Sequence, residues 1–583
     1  MTPGRDAPHA HPSPLRRLIG FMAAERRDLV TVALYAVAIG VLNLAIPFTA
    51  MIVVNTTAMG TLVQQLIVLC GVLAACLLLA AGLRTLQLVM VEFLQRRVFV
   101  RMVADLSYRL PHVDVKAFDR QHGPELVNRF FDVLTMQKAA ASLLLEGLTV
   151  VLQVAIGLVL LGFYHQILLG FDLFLIASLA VIVFALGWRG PRTAIAESMA
   201  KYRVAGWMEE LARYPDAFKM SGGPRFARER ADALTADYLA ARRGHFRVVW
   251  TQFASFLLLQ AAASTALLAI GGWLVIQETL SLGQLVAAEI VVTLVVSSFT
   301  KLAKQLEVYY DLLAATDKLG YLIDLPLERA GGAAHLGGAG GADLRVHAVS
   351  FAYDRAHGNV LDDFSMHVRP GERVALMGTQ GAGKSTLLDL LYGLRNPDRG
   401  YVELDGLDLR DMRLDSLREQ VAVVKGIETF DGTLLDNVRM GRDGYGLAEV
   451  RDALAAVRLL DDVAEFPDGL NTVIVDVGSP LSVGQAQRLM LARAILGNPR
   501  LLILDETLDS IPPGMREDVF AALRGRRWTL LVVTHKPDVA RLCDRTVNVP
   551  RTNRLPAVDR PVPLTAVNGR PHPDGSRHDH SHP

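Results

Sequence analysis

The chain has 583 residues, more than one compact core accommodates, so roughly two to four domains are expected. Hydrophobic residues make up 51% and mean hydropathy is +0.30, high for a soluble protein and low for one that is all membrane, which points to a chain part lipid-facing and part water-soluble. A net charge of +1 gives no electrostatic case for nucleic acid, and Cys70, Cys76 and Cys543 are too few for a disulfide framework and lack metal-ligand spacing.

Residues 1–14 lack the apolar core of a signal peptide and read as a flexible N-terminus. Leu15, Leu18, Ile19, Phe21 and Met22, with Arg16 and Arg17, suggest a short helix on the inner membrane surface or a solvated cap. Six apolar stretches follow, each long enough to cross a bilayer: Leu29–Val54, Leu62–Val89, Leu143–Phe163, Ile167–Leu186, Phe253–Ile276 and Leu282–Ser298. Cys70 and Cys76 fall inside the second, where core packing is expected. The three short gaps carry no Lys or Arg, whereas the two long gaps hold Arg96, Arg97, Arg101, Arg109, Arg189, Arg192, Lys201 and Arg203 among others. The positive-inside bias therefore places both long gaps and both termini in the cytoplasm of a multi-pass protein of the cytoplasmic (inner) membrane.

The long gaps have helical periodicity, broken at Gly123-Pro124 in one and at Pro215 and Gly222-Gly223-Pro224 in the other. Ionisable groups inside spans are costly, so Glu289 in the sixth is expected to make an interhelical hydrogen bond or to face cargo. Glu146 is expected to be interfacial, and Gln153, Gln260 and Gln284 are scattered polar points. The transmembrane domain is bounded at 15–325 and a Gly/Ala-rich linker at 326–342. A soluble α/β domain then covers 343–550, with β-like runs at Arg373–Met377, Val421–Val424, Leu501–Leu504 and Thr529–Val533. Residues 551–583, with His572, His578, His580 and His582, read as a disordered, solvated tail.

Gly378-Thr379-Gln380-Gly381-Ala382-Gly383-Lys384-Ser385, followed by Thr386, matches GxxxxGK[ST] between a predicted strand and a predicted helix. Its backbone N–H groups suit phosphates, Lys384 suits the β- and γ-phosphates of ATP, and Ser385 suits Mg²⁺. Downstream, the apolar run Leu501–Leu504 enters Asp505-Glu506. Asp505 suits metal handling, and Glu506 suits orienting or deprotonating the attacking water.

Leu481-Ser482-Val483-Gly484-Gln485, about twenty residues ahead of Asp505, resembles the LSGGQ signature of the ABC transporters apart from Val483. That resemblance implies that Ser482, Gly484 and Gln485 close over ATP held by a second half-transporter chain, most simply a homodimer. It also implies that Tyr353 stacks on adenine, that His535 contacts the γ-phosphate, and that Asp476-Val-Gly478 touches the membrane domain. The resemblance further places coupling helices in Phe118–Val133 and Arg213–Gly223. The implied fold is an all-α six-helix transmembrane domain of ABC exporter type, then an α/β P-loop NTPase domain with a helical subdomain.

Two stretches depart from the family pattern. Lys425–Phe430 lacks the usual glutamine, and Asp509-Ser510-Ile511-Pro512 stands where Ser-Ala-Leu-Asp is usual. The expected function is ATP-driven export by alternating access, with membrane lipids around the spans and a hydrophobic or amphipathic cargo such as a lipid, drug or peptide. A regulatory ATPase without transport and one half of a heterodimeric exporter are the alternatives.

Overall fold

The computed structural model describes residues 13–58, 63–119, 128–164, 166–277, 282–334, 338, 340–354, 358–475 and 480–552. The chain divides into two compact units between Leu327 and Glu328. Residues 120–127 of the first expected coupling segment, Asp476-Val-Gly478 and the tail beyond Thr552 lie outside the described residues.

The first unit is helical throughout. Helix α1 (Pro14–Ala24) precedes the first span, α2 (Arg26–Asn43) and α3 (Ala45–Ala58), which meet at Leu44 just ahead of Pro47. The second span is the single helix α4 (Val63–Arg109). The third comprises α5 (Asp132–Ser142), a π-turn at Leu143–Gly147 and α6 (Leu148–Tyr164). The fourth comprises α7 (Gln166–Ala180), a second π-turn at Val181–Leu186 and α8 (Gly190–Arg213). After the four-residue helix α9 (Pro215–Phe218), α10 (Gly223–Ile276) and α11 (Leu282–Ile323) supply the fifth and sixth. Among the described residues, six helical segments are thus long and apolar enough to cross a membrane.

Leu161, Leu168, Leu175, Phe256, Leu267, Val295 and Phe299 form the main core of this unit. Small residues let the helices approach closely: a Cβ on Gly157 would lie 2.4 Å from Val295 Cγ2, and one on Gly40 would lie 2.8 Å from Ile156 Cδ1. The second span is different. Leu66, Ile67, Val68, Leu78 and Leu79 are exposed, as befits a helix whose solvent is lipid. Cys70 is exposed there too and Cys76 only partly covered, so the expected core packing of these thiols is not found.

The helices run well past the apolar stretches, since a polar sequence free of breakers continues a helix at no great cost. Tyr202 donates to Asp132 (2.7 Å) and Arg242 to Glu197 (2.8 Å) across these extensions. At the second breaker segment, Gly222 takes φ +83° and a Cβ on Gly223 would lie 2.4 Å from the Phe218 carbonyl, so the turn needs both glycines. Buried Trp207 holds that turn, meeting Phe218 and Phe226 edge-on with centroids 5.5 and 5.9 Å away. Helix α1 is anchored by buried Leu18 and by Arg17 paired with Asp317 and Asp324, while Leu15, Ile19 and Met22 point outward.

The second unit is α/β. An antiparallel sheet has order β2-β1-β4-β5, from β1 (Leu344–Phe351), β2 (Leu361–Val368), β4 (Arg399–Leu404) and β5 (Leu407–Asp408). A parallel sheet has order β11-β3-β10-β9-β6, from β3 (Arg373–Met377), β6 (Val421–Lys425), β9 (Leu501–Asp505), β10 (Thr529–Val533) and β11 (Arg545–Asn548). Helix α12 (Lys384–Leu391) follows β3, and α13 (Leu414–Gln420) leads into β6. A small pair, β7 (Gly432–Thr433) with β8 (Val473–Ile474), accompanies α14 (Leu434–Arg439), α15 (Leu447–Ala456), α16 (Leu460–Glu465) and α17 (Val483–Leu496). Helix α18 (Pro513–Arg524) and the short α19 (Pro537–Ala540) complete the unit. The inner strands β3, β10 and β9 are apolar runs because they are covered on both faces; Leu501, Leu502, Ile503 and Leu504 are fully buried. The described part of the Gly/Ala-rich stretch is tied to this unit: Arg329 donates to the Arg410 carbonyl (2.8 Å), and Ala333 pairs with Met412.

Candidate nucleotide site

Strand β3 lies between β10 and β11, so the chain leaves it at the carboxyl edge of a parallel sheet, where open α/β folds bind ligands. The loop Gly378–Gly383 turns there into α12. Gly383 takes φ +89°, and a Cβ on it would lie 2.9 Å from Leu361 Cδ2, so no other residue fits without displacing β2. Lys384 curls its ammonium back over the loop, donating to the carbonyls of Gly378 (3.0 Å) and Thr379 (3.3 Å). Ala382 is buried beneath the loop.

Gln380, Gly381, Gly383, Lys384, Ser385 and Thr386 line one side of a cleft of about 740 Å³. Asp505, Glu506, Asp509 and His535 line it as well. They converge because β9 and β10 are register partners, Asp505 opposite Val533, which sets the residues after each strand side by side. Glu506 has φ +52°, a left-handed conformation that costs a residue with a side chain of order 1 kcal/mol. Its backbone N–H donates to the Val533 carbonyl (3.0 Å) and its carboxylate stays half exposed, 3.8 Å from His535 Nδ1. Burial, and next the Glu506 charge beside it, push the Asp505 carboxyl above its ordinary range; Lys425 and Lys384 pull the other way.

Tyr353 stands beside this loop. Its hydroxyl is 3.1 Å from Thr386 Oγ1, the Arg395 guanidinium lies 4.7 Å from the ring centroid, and Phe351 meets it edge-on. Tyr353 as a whole residue is 51% exposed.

The signature residues lie elsewhere. Ser482 caps α17 in a reciprocal capping box with Gln485, at 2.9 and 3.3 Å, which accounts for that serine and glutamine locally. Val483 is 66% exposed and a Cβ on Gly484 would meet nothing within 4 Å. Gln487, one turn on, reaches the cleft, whereas Ser482, Gly484 and Gln485 do not line it.

Both departures from the expected pattern acquire a geometry. Lys425 is the register partner of Asp505 and pairs at 3.1 Å with Asp389 of α12, so an ammonium stands at the corner where a glutamine was expected, and Gly426 follows it in the cleft wall. Glu428, the residue nearest in kind to the missing glutamine, is absent from that wall. Asp509 is buried, accepts from the Thr534 hydroxyl (2.6 Å) and lies 3.1 Å from His535 Nδ1; the Lys536 ammonium donates to its carbonyl (2.6 Å). A carboxylate on Nδ1 fixes the tautomer and turns the other ring nitrogen, Nε2, into the one available to a ligand. Asp509 was not among the expected site residues. Its signal is the second carboxylate three residues after Glu506, but only the fold brings it to His535. Asp509→Asn is expected to lower turnover about tenfold while leaving ATP affinity within about threefold, checked by steady-state ATPase and nucleotide titration.

In the membrane unit, Glu289 is exposed on α11 and makes no interhelical hydrogen bond among the described residues; the bond of that kind falls instead to Glu146, which accepts from Gln305 (3.0 Å) at the first π-turn. Asp172, inside the fourth span, escaped notice in the sequence, because one carboxylate barely lowers the hydropathy of so apolar a stretch.

Residues 361–509 match the family model described as "ABC transporter". The chain is 28% identical over 489 residues to an ATP-dependent lipid A-core flippase of Methylococcus capsulatus, covering 81% of this chain and 79% of that protein. Its backbone superposes on a solved structure titled as a bacterial Atm1-family ABC exporter with ATP bound, with a TM-score of 0.79, covering 91% of this chain and 94% of that one at 21% identity. Residues 361–509 are thus an ABC transporter domain, and the chain as a whole resembles half-size ABC exporters. The chain also resembles an uncharacterized ABC transporter ATP-binding protein of Bacillus subtilis, 33% identical over 329 residues. It is 35% identical over 354 residues to a lipid A-core flippase of Ralstonia nicotianae. In those two alignments the chain spans only 55% and 58% of the relatives' length. It is a multi-pass membrane protein with a C-terminal ATP-binding domain.

Proposed function

We propose that the exporter hydrolyses ATP in a pair of sites shared between two copies of the chain and uses that cycle to move a hydrophobic or amphipathic molecule out of the cytoplasm. One observation carries this reading. Lys384, Ser385, Asp505, Glu506 and His535 share one cleft, while Ser482 and Gly484 are displayed away from it with room for a ligand on their open side. A second copy facing this one would bring its signature helix to the phosphates.

In that assembly the Lys384 ammonium swings from the loop carbonyls to the β- and γ-phosphates. Tyr353 offers its ring to adenine. Ser385 and Asp505 are hard oxygen donors that suit Mg²⁺, which supplies charge neutralisation on the phosphates when bound. The Glu506 carboxylate accepts the proton of the attacking water, and His535, oriented by Asp509, holds the γ-phosphoryl oxygen. ATP binding favours the closed pair of nucleotide domains and hydrolysis releases it, so the spans alternate between two arrangements. The Lys and Arg residues of the two long gaps support a reading with both termini inside and the chain in the cytoplasmic membrane. Lipid as cargo draws support from the two flippases named above.

ATP-driven uptake of labelled lipids, drugs and peptides into inside-out vesicles tests the proposal. A protein that hydrolyses ATP there but accumulates none of the panel overturns export in favour of a regulatory ATPase. Activity only on mixing with another half-transporter overturns the homodimer.

A further inference from the structure

The third and fourth spans, α6 and α7, enclose a groove of about 720 Å³ whose wall is almost entirely apolar: Val154, Leu158, Val159, Leu169 and Ile176 among others. One charged residue lines it, Asp172. The side chain is 3% exposed, and neither carboxylate oxygen has a hydrogen-bond partner among the described residues. It faces the neighbouring helix at Gly162, where a Cβ would lie 3.3 Å from Asp172 Oδ2. With α7 starting at Gln166, the carboxyl lies about 9 Å along the helix axis at ~1.5 Å per residue.

A carboxylate in a hydrocarbon environment with no donor is costly, and in spans such groups face a partner, a pathway or a ligand. Here no lining residue is basic, so the partner comes from outside the groove. A bare divalent cation is poorly served, because one carboxylate is far short of the six or more oxygens that calcium takes. Anions and lipid phosphates are repelled. A cation that brings its own apolar surface meets both features together. Its charge answers Asp172, and its hydrocarbon or aromatic body covers Val159, Leu169 and Ile176, which are 63%, 58% and 48% exposed.

We propose that the groove between the third and fourth spans binds a lipophilic cation, with its positive centre on the Asp172 carboxylate. That this ligand is cargo rests on the export reading; that it binds does not.

The test measures binding without nucleotide, in lipid nanodiscs carrying the full chain, so loss of ATP hydrolysis leaves it intact. Tetraphenylphosphonium and tetraphenylborate have nearly the same size and opposite charge, and binding is taken as the excess over empty discs. Saturable binding of the cation and at least tenfold weaker binding of the anion are expected. Asp172→Asn is expected to weaken cation binding at least tenfold. Val159→Trp, which fills the groove and keeps the carboxylate, is expected to do the same and serves where Asp172→Asn does not fold. Equal affinity for the two ions, or unchanged cation affinity in Asp172→Asn, overturns the proposal. So does the absence of saturable cation binding together with spontaneous cross-linking of Phe163→Cys between copies, which would show a second copy of the chain covering the groove.

Discussion

Glu506→Gln is expected to hold ATP and scarcely to split it. The substitution keeps the shape of the side chain and removes its charge, so the left-handed backbone at this position and its N–H bond to Val533 persist. What disappears is the one exposed carboxylate among the described residues that line the cleft, since Asp505 is partly covered and Asp509 is buried. General-base contributions of this kind are worth about 10²–10⁴ in rate. Turnover is therefore expected to fall at least 100-fold with ATP affinity within about threefold, and the protein with ATP to run as a closed dimer on size exclusion. Undiminished hydrolysis would remove Glu506 from the role of base.

Lys384→Met is expected to act one step earlier. The lysine carries the only ammonium on the loop itself, and its hydrogen bonds to Gly378 and Thr379 show that it already reaches over the phosphate cradle. Charge-assisted hydrogen bonds contribute about 1.5–3 kcal/mol each, and about 1.4 kcal/mol is tenfold in affinity. Loss of two phosphate contacts therefore predicts ATP binding weaker by about 100-fold or more, with no measurable turnover. Methionine keeps the apolar stem, so the melting temperature without nucleotide should stay within a few degrees. The two variants separate cleanly by titration with a fluorescent ATP analogue: one binds and does not turn over, the other does not bind.

The legible parts of the chain are those where local pattern and tertiary environment agree. Arg373–Met377 and Thr529–Val533 are strands to the residue, because a strand buried on both faces is simply an apolar run. The six spans are legible for the same reason, although their helices extend far beyond the apolar windows, which sense lipid and not helix ends. The phosphate loop is legible because its glycines answer a local backbone need. The illegible parts depend on distant partners. Asp509 reads as a departure from a family pattern until the fold sets Thr534 and His535 against it. Lys425 reads as a missing glutamine until its pairing with Asp389 and its register with Asp505 are seen. The interhelical hydrogen bond expected of Glu289 is made by Glu146 instead, because only helix packing decides which carboxylate meets a donor. Asp172 is a single letter in an apolar run, and what sets it apart is that neither carboxylate oxygen has a hydrogen-bond partner among the described residues.

The left-handed conformation of Glu506 sets thermal robustness against chemistry at one position. Glycine would relax that conformation, so selection for stability alone would erase the proposed base there. Screens for hardier variants of this protein should therefore recover inactive ones at Glu506, and an intact glutamate in a selected pool reports that turnover was under selection as well.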